Sequence, residues 1–152
     1  MNEQIEKAMR AAMRDMITEV ASKSELTDDD AEWLSKLVGE VCERINALTP
    51  RRLDMHAELS TCIDVALIKQ MLRHGAADSD DVRRLVDTVF DRLAMLCAPS
   101  QDETIRAARA ECHAQPTLAL ALATLLDRCN TLLSEIEKLS LPIRTEMNRS
   151  PR

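Results

Sequence analysis

The chain has 152 residues, 20 basic and 26 acidic side chains for a net charge of −6, only two glycines and five prolines, and an aromatic content of 1%. Such a length suffices for one domain that buries roughly two-thirds of the surface its unfolded form exposes. The scarcity of glycine and aromatic residues leaves little material for β-hairpins, and the acidic balance argues against non-specific attraction to nucleic acid or an anionic membrane.

Residues 1–50 hold 11 acidic against 6 basic groups, so most of the net charge lies there, and the pairs Arg51-Arg52 and Arg83-Arg84 read as solvated helix surface. Apolar positions Ile5, Met9, Ala12, Met13, Met16, Ile17 and Val20 recur at helical spacing, which predicts a first amphipathic helix over 1–21, either packed on the core or set apart as an arm. Met9, Met13 and Met16 form a candidate association face on it, since methionine adapts to varied partners.

Thr27 followed by three aspartates predicts a capped second helix whose buried face is Leu34, Leu37, Val38, Val41, Cys42, Ile45 and Leu48. Thr49-Pro50 reads as cap and first turn of a third helix, with Leu53, Ile63, Leu67 and Met71 facing inward and His74-Gly75 ending it. Asp78 to Asp81 should cap a fourth helix that buries Val82, Leu85, Val86, Val89, Leu93, Leu96 and Cys97, with Phe90 at its margin. Pro99 closes it, and Asp102 and Glu103 open a weaker fifth helix with Ile105, Ala108 and Cys112 inward. After Gln115-Pro116, the series Leu118, Leu122, Leu125, Cys129, Leu132, Ile136 and Leu139 alternates steps of four and three, the pattern of a central packing seam. Leu141-Pro142 is its expected end, with 143–152 a flexible tail. The fold expected is an all-α, single-domain bundle of about six helices over 1–142.

Chemistry has little support in the residues. The positions three before His56, His74 and His113 are Leu53, Met71 and Ala110, so the Glu-x-x-His spacing of a di-iron bundle is absent. Asp54, His56 and Glu58, two apart, point to different faces. Gly39 and Gly75 stand alone, without a phosphate loop. The five cysteines, Cys42, Cys62, Cys97, Cys112 and Cys129, are odd in number and widely spaced, which reads as reduced thiols, with Cys112 the one position where a redox role is an alternative. No apolar run approaches the roughly 20 residues of a membrane span, and the N-terminus is charged and amphipathic rather than a signal peptide. A soluble cytoplasmic protein with no cofactor, no metal and no specific nucleic-acid partner is expected, and not an enzyme.

Ile63-Asp64-Val65-Ala66-Leu67-Ile68-Lys69-Gln70, then His74-Gly75, then Leu93-Ala94-Met95-Leu96-Cys97-Ala98-Pro99 with Asp102-Glu103, resemble the T-complex protein 11 family. The likeness covers residues 48–139. Family members are usually much longer helical proteins, so the chain resembles a minimal version or a fragment of the domain. The resemblance implies a helical, non-enzymatic protein connected with positive regulation of cAMP and protein kinase A signalling. It makes Asp64, Lys69, Gln70, His74, Asp102 and Glu103 a candidate partner surface, although helix capping and local ion pairing explain the same residues as well. Two other readings remain: a structural or self-assembling homodimer, and a Bcl-2-like cell-death regulator, against which stands the lack of an Asn-Trp-Gly-Arg motif.

Overall fold

The computed structural model describes residues 3–74 and 79–149, with side chains described for 3–74 and 80–138. Helix α1 runs Glu3–Ala21, α2 Asp28–Ala47, α3 Leu53–Cys62, α4 Val65–His74 and α5 Ser79–Leu96. A short 3-10 turn over Pro99–Gln101 leads into α6, Asp102–His113, and α7, Leu118–Arg149. The described residues form an all-α bundle with no strand, as expected.

The α1–α2 corner is built by local hydrogen bonding. Ser22 Oγ donates to the Thr18 carbonyl at 2.7 Å, which closes the end of α1. Thr27 then forms a reciprocal capping box: its Oγ1 accepts from the Asp30 amide, and its own amide donates to Asp30 Oδ2, both at 3.0 Å. Lys23 Nζ adds a 3.0 Å contact to the same carboxylate. With that start fixed, α2 turns Ala31, Leu34, Val38, Val41 and Ile45 inward.

The expected third helix is two helices. Thr49 and Pro50 lie in the turn before α3, whose N-cap, Arg52, makes no side-chain capping bond. The helix then breaks at Ile63, which adopts extended backbone with φ −123° and ψ 99°. Asp64 restarts it, its Oδ1 accepting from the Leu67 amide at 3.2 Å while its carbonyl accepts from the Ile68 amide at 3.0 Å. A β-branched residue followed by a good N-cap favours this break over continuous helix. The break rotates α4 relative to α3, so the inward stripe splits. Met55, Leu59, Ile63, Ile68 and Leu72 are buried, whereas Leu53 and Leu67 are 71% and 49% exposed. α4 lies against α2, where Gly39 permits the approach: a Cβ on it would sit 3.3 Å from Val65 Cγ2.

α5 packs against α2, α3, α6 and α7, and its buried arc is correspondingly wide: Leu85, Val86, Val89, Phe90 and Leu93. Phe90 is fully buried rather than marginal, because a helix enclosed on several sides has no apolar margin. α7 is the central element, touching α1, α2, α5 and α6. It buries Leu122, Leu125, Leu126, Cys129, Leu132 and Leu133, in keeping with its four-and-three spacing. α7 does not end at Leu141-Pro142 but continues to Arg149. Proline removes one backbone donor and can leave helix on both sides of a kink. The expected Gly75 stop, the Asp78 cap and the last residues of the tail, 150–152, lie outside the described residues.

Candidate interaction surface

Of the six residues proposed as a partner surface, four lie on or beside α4. Asp64 is exposed and caps the helix, so its carboxylate has a structural task. Lys69 stands 3.9 Å from Asp28 at the start of α2, and Arg73 reaches the same carboxylate at 3.2 Å while donating to the Leu26 carbonyl at 3.2 Å. These contacts fasten α4 across the start of α2, where the helix dipole also favours Asp28. Gln70 and His74 are exposed. His74, in the last turn of α4, borders an open cleft of about 650 Å³ between the α1–α2 corner, the end of α4 and the start of α7, whose wall also holds Lys23, Glu25 and Arg73.

Asp102 and Glu103 belong elsewhere. They sit exposed in the first turn of α6, which packs on α5 and α7, whereas α4 packs on α2. Glu103 pairs with Arg106 at 2.8 Å and borders a second open groove of about 570 Å³ along α6 and α7, with Glu111, Arg128 and Glu135. The α4 residues and the α6 pair therefore belong to two different helix packings.

The methionine face divides. α1 lies along α7 and buries Ile17 and Ala21; Met13 lines the crevices that this packing leaves, yet is still 41% exposed. Met9 and Met16 are 59% and 53% exposed. The buried side of α1, at Ile17 and Ala21, is turned away from the stripe that the spacing suggests, and the exposed Arg10 and Arg14 border, with Met13 and Ile17, a crevice against Ala123 and Asp127 of α7.

Asp54, His56 and Glu58 have separate partners. Arg52 pairs with Asp54 at 2.9 Å and holds its carboxyl down at about 2; His56 Nε2 lies 2.7 Å from the Thr49 carbonyl; Glu58 approaches Arg92 at 3.8 Å. All five cysteines are free. Burial pushes the Cys42 thiol up to about 11 and Cys112 to about 12, and raises Cys97 and Cys129 as well. Cys112 is 1% exposed, so α6 shields the one thiol for which redox chemistry was an alternative. Among the described residues no group of His, Cys, Asp and Glu is arranged to hold a metal, and no helix is long and apolar enough to cross a membrane.

Among the polar connections that escaped the sequence reading, two involve α5. Asp87 and Asp91, four apart on α5, face Arg109 and His113, four apart on α6; His113 Nε2 lies 2.9 Å from Asp87 Oδ1, and Arg109 bonds both carboxylates. The matching four-residue steps were the available signal. Arg92, 6% exposed within α5, donates to the Met55 carbonyl of α3 at 3.2 Å. Nothing in its spacing set it apart from a solvated arginine.

The family model described as T-complex protein 11 matches residues 1–143. The chain belongs to the T-complex protein 11 family. The match takes in α1 and α2, which carried none of the quoted resemblance. A human protein, T-complex protein 11 homolog, is 32% identical over 81 residues, 53% of this chain and 16% of that protein. The chain thus spans a small part of the length of this family relative. No solved structure matches it.

Proposed function

We propose that this member of the T-complex protein 11 family is a non-catalytic helical interaction module that acts as an adaptor or regulator in signalling linked to cAMP and protein kinase A. Family membership carries the reading, since the family is associated with that signalling. The surface supports it: α4 ends with exposed His74 bordering an open cleft, and α6 begins with exposed Glu103 bordering another. Both clefts are open, the first between helix ends and the second along α6 and α7, which suits contact with a protein better than enclosure of a small substrate.

The test is a protein kinase A activity reporter in cells that express the chain or its Lys69→Glu, His74→Ala, Asp102→Lys variant. These side chains are exposed or partly so, and the one ion pair disturbed, Lys69 to Asp28, is long at 3.9 Å. The reporter should respond to the wild-type chain and not to the variant. No response to the wild type removes the signalling link; an equal response to the variant removes the α4 and α6 residues as the contact.

A further inference from the structure

α4 is joined to the bundle by few contacts. Of its ten residues only Ile68 and Leu72 are buried, and it packs chiefly on α2. α3 closes on the Ile63 amide, which donates to the Leu59 carbonyl at 2.9 Å, and α4 opens on the Asp64 carbonyl, so the break at Ile63 separates the two hydrogen-bond ladders. α3 is fastened independently: it buries Met55 and Leu59, and Arg92 of α5 donates to the Met55 carbonyl. At the other end of α4, Met71, Leu72, Arg73 and His74 wall the open cleft of about 650 Å³ that stands between this helix and the start of α7.

Part of the α2 surface toward α4 is small and polar. Asp28, Glu32, Ser35 and Gly39 recur at steps of four, three and four, one row from the first turn of α2 to the contact with Val65. Ser35, 3% exposed, already donates to the Glu32 carbonyl of its own helix at 2.9 Å, so uncovering it leaves no hydroxyl without a partner. The electrostatic hold lies at the end of α4 away from Ile63. There Asp28 receives Arg73 at 3.2 Å and Lys69 at 3.9 Å, and Arg73 also donates to the Leu26 carbonyl. All three charged side chains are a third or more exposed, so dissolved salt screens these pairs.

We propose that α4 is a latched, separable unit: it opens from α2 as a whole, starting at the Ile63 break, while α2 and α7 stay folded, and the contacts of Asp28 with Lys69 and Arg73 set how often it does so. The opened state presents the Ser35 and Gly39 row of α2 to solvent together with Ile68 and Leu72 of α4. α7 has no such freedom, because it touches α1, α2, α5 and α6 and buries Leu122, Leu125, Leu126, Cys129, Leu132 and Leu133, so it leaves only when the whole core opens. The device is a conformational switch sensitive to ionic strength, and nothing in it depends on the signalling link.

The test is amide hydrogen exchange on the whole chain in low concentrations of urea, at low and high salt. Amides of α4 from Lys69 to Arg73 should exchange at least about tenfold faster than those of α7 from Leu122 to Leu133, and with a weaker dependence on urea, since a small unit exposes little surface. Asp28→Asn should speed exchange in α4 by about threefold, leave α7 unchanged and abolish the acceleration that salt produces in the wild type. Asp29→Asn is the control: it removes an equal charge from the first turn of α2, where Asp29 is exposed and outside the latch, and should leave α4 as it was. Exchange of α4 and α7 at one rate with one urea dependence overturns the proposal, because α4 would then open only when the whole chain unfolds. Equal effects of Asp28→Asn and Asp29→Asn on α4 overturn it as well, since the latch would then be no more than the charge at the start of α2. A silent kinase reporter with fast, latch-dependent exchange in α4 would remove only the signalling link, so the two readings fail separately.

Discussion

Arg44 of α2 grips Glu137 of α7 with two parallel bonds, Nη2 to Oε1 at 2.7 Å and Nε to Oε2 at 3.2 Å, while its Nη1 donates to Asn130 Oδ1 at 2.7 Å. Three of its donors are therefore spent on one side of α7, and the guanidinium's fixed fork suits this arrangement. Both partners are about one-third exposed. A double-mutant cycle with Arg44→Ala and Glu137→Ala should give a coupling of about 1 kcal/mol in urea unfolding, near the top of the range for partly exposed pairs. Arg44→Lys should not restore it, because an ammonium cannot reproduce the fork. A coupling indistinguishable from zero would mean that solvent competes fully for the pair.

The thiols should divide by burial. Cys62 is exposed, Cys42 and Cys97 are half-buried, and Cys112 and Cys129 lie in the core. A maleimide or disulfide reagent at neutral pH should therefore modify Cys62 first, with Cys112 and Cys129 reacting only on unfolding. Stability should also fall in alkali. A thiol whose folded pKa is raised resists ionisation in the native state, so the stabilisation is complete below the unfolded value near 9 and is lost as pH climbs through the folded values of about 11 for Cys42 and about 12 for Cys112. Thermal melts between pH 9 and pH 12 should show the loss, and it should be smaller in a Cys42→Ala, Cys112→Ala variant than in the parent. Reaction of Cys112 in the native protein as fast as Cys62 would contradict its burial.

The sequence disclosed most where periodicity and capping agree. The central place of α7 was legible because Leu122, Leu125, Cys129 and Leu132 keep a packing repeat amid further apolar neighbours, and α2 was legible because Thr27 and Asp30 make a capping box that needs no tertiary partner. The division between α3 and α4 was not: Ile63 and Leu67 extend the stripe in sequence, and only Asp64's choice to cap rather than continue the helix breaks it. For the candidate surface, helix assignments were readable from local signals, but the separation of His74 from Asp102 depends on which helices pack together, and spacing along one chain does not encode that.

Gly39 sets how near α4 can come to α2. Alanine there gains helix propensity of about 1 kcal/mol, but its Cβ would meet Val65 Cγ2 at 3.3 Å, so that methyl must shift by a few tenths of an ångström. The two effects oppose each other, and Gly39→Ala should be close to neutral. Gly39→Leu should cost about 1–3 kcal/mol by overpacking, read as a lower urea midpoint. Pairing Gly39→Leu with Val65→Ala should recover part of that loss if the contact is the cause; additive losses would place the strain elsewhere.

Asp64 decides between capping and partner contact at the most family-like stretch of the chain. As a cap, what counts is an oxygen that accepts from the Leu67 amide at 3.2 Å, and the charge matters little. Asn and Ser supply that oxygen without the charge, whereas Ala supplies neither. Asp64→Ala should therefore destabilise the fold by about 1 kcal/mol, with Asp64→Asn and Asp64→Ser within a few tenths of wild type. A partner contact through the carboxylate predicts a different pattern: Asp64→Asn would fold normally and lose kinase-reporter activity together with Asp64→Ala. Measuring urea midpoints and reporter response on the same three variants separates the roles. Equal stability of all three would remove the cap, because the restart of α4 after Ile63 would then need no help from this side chain.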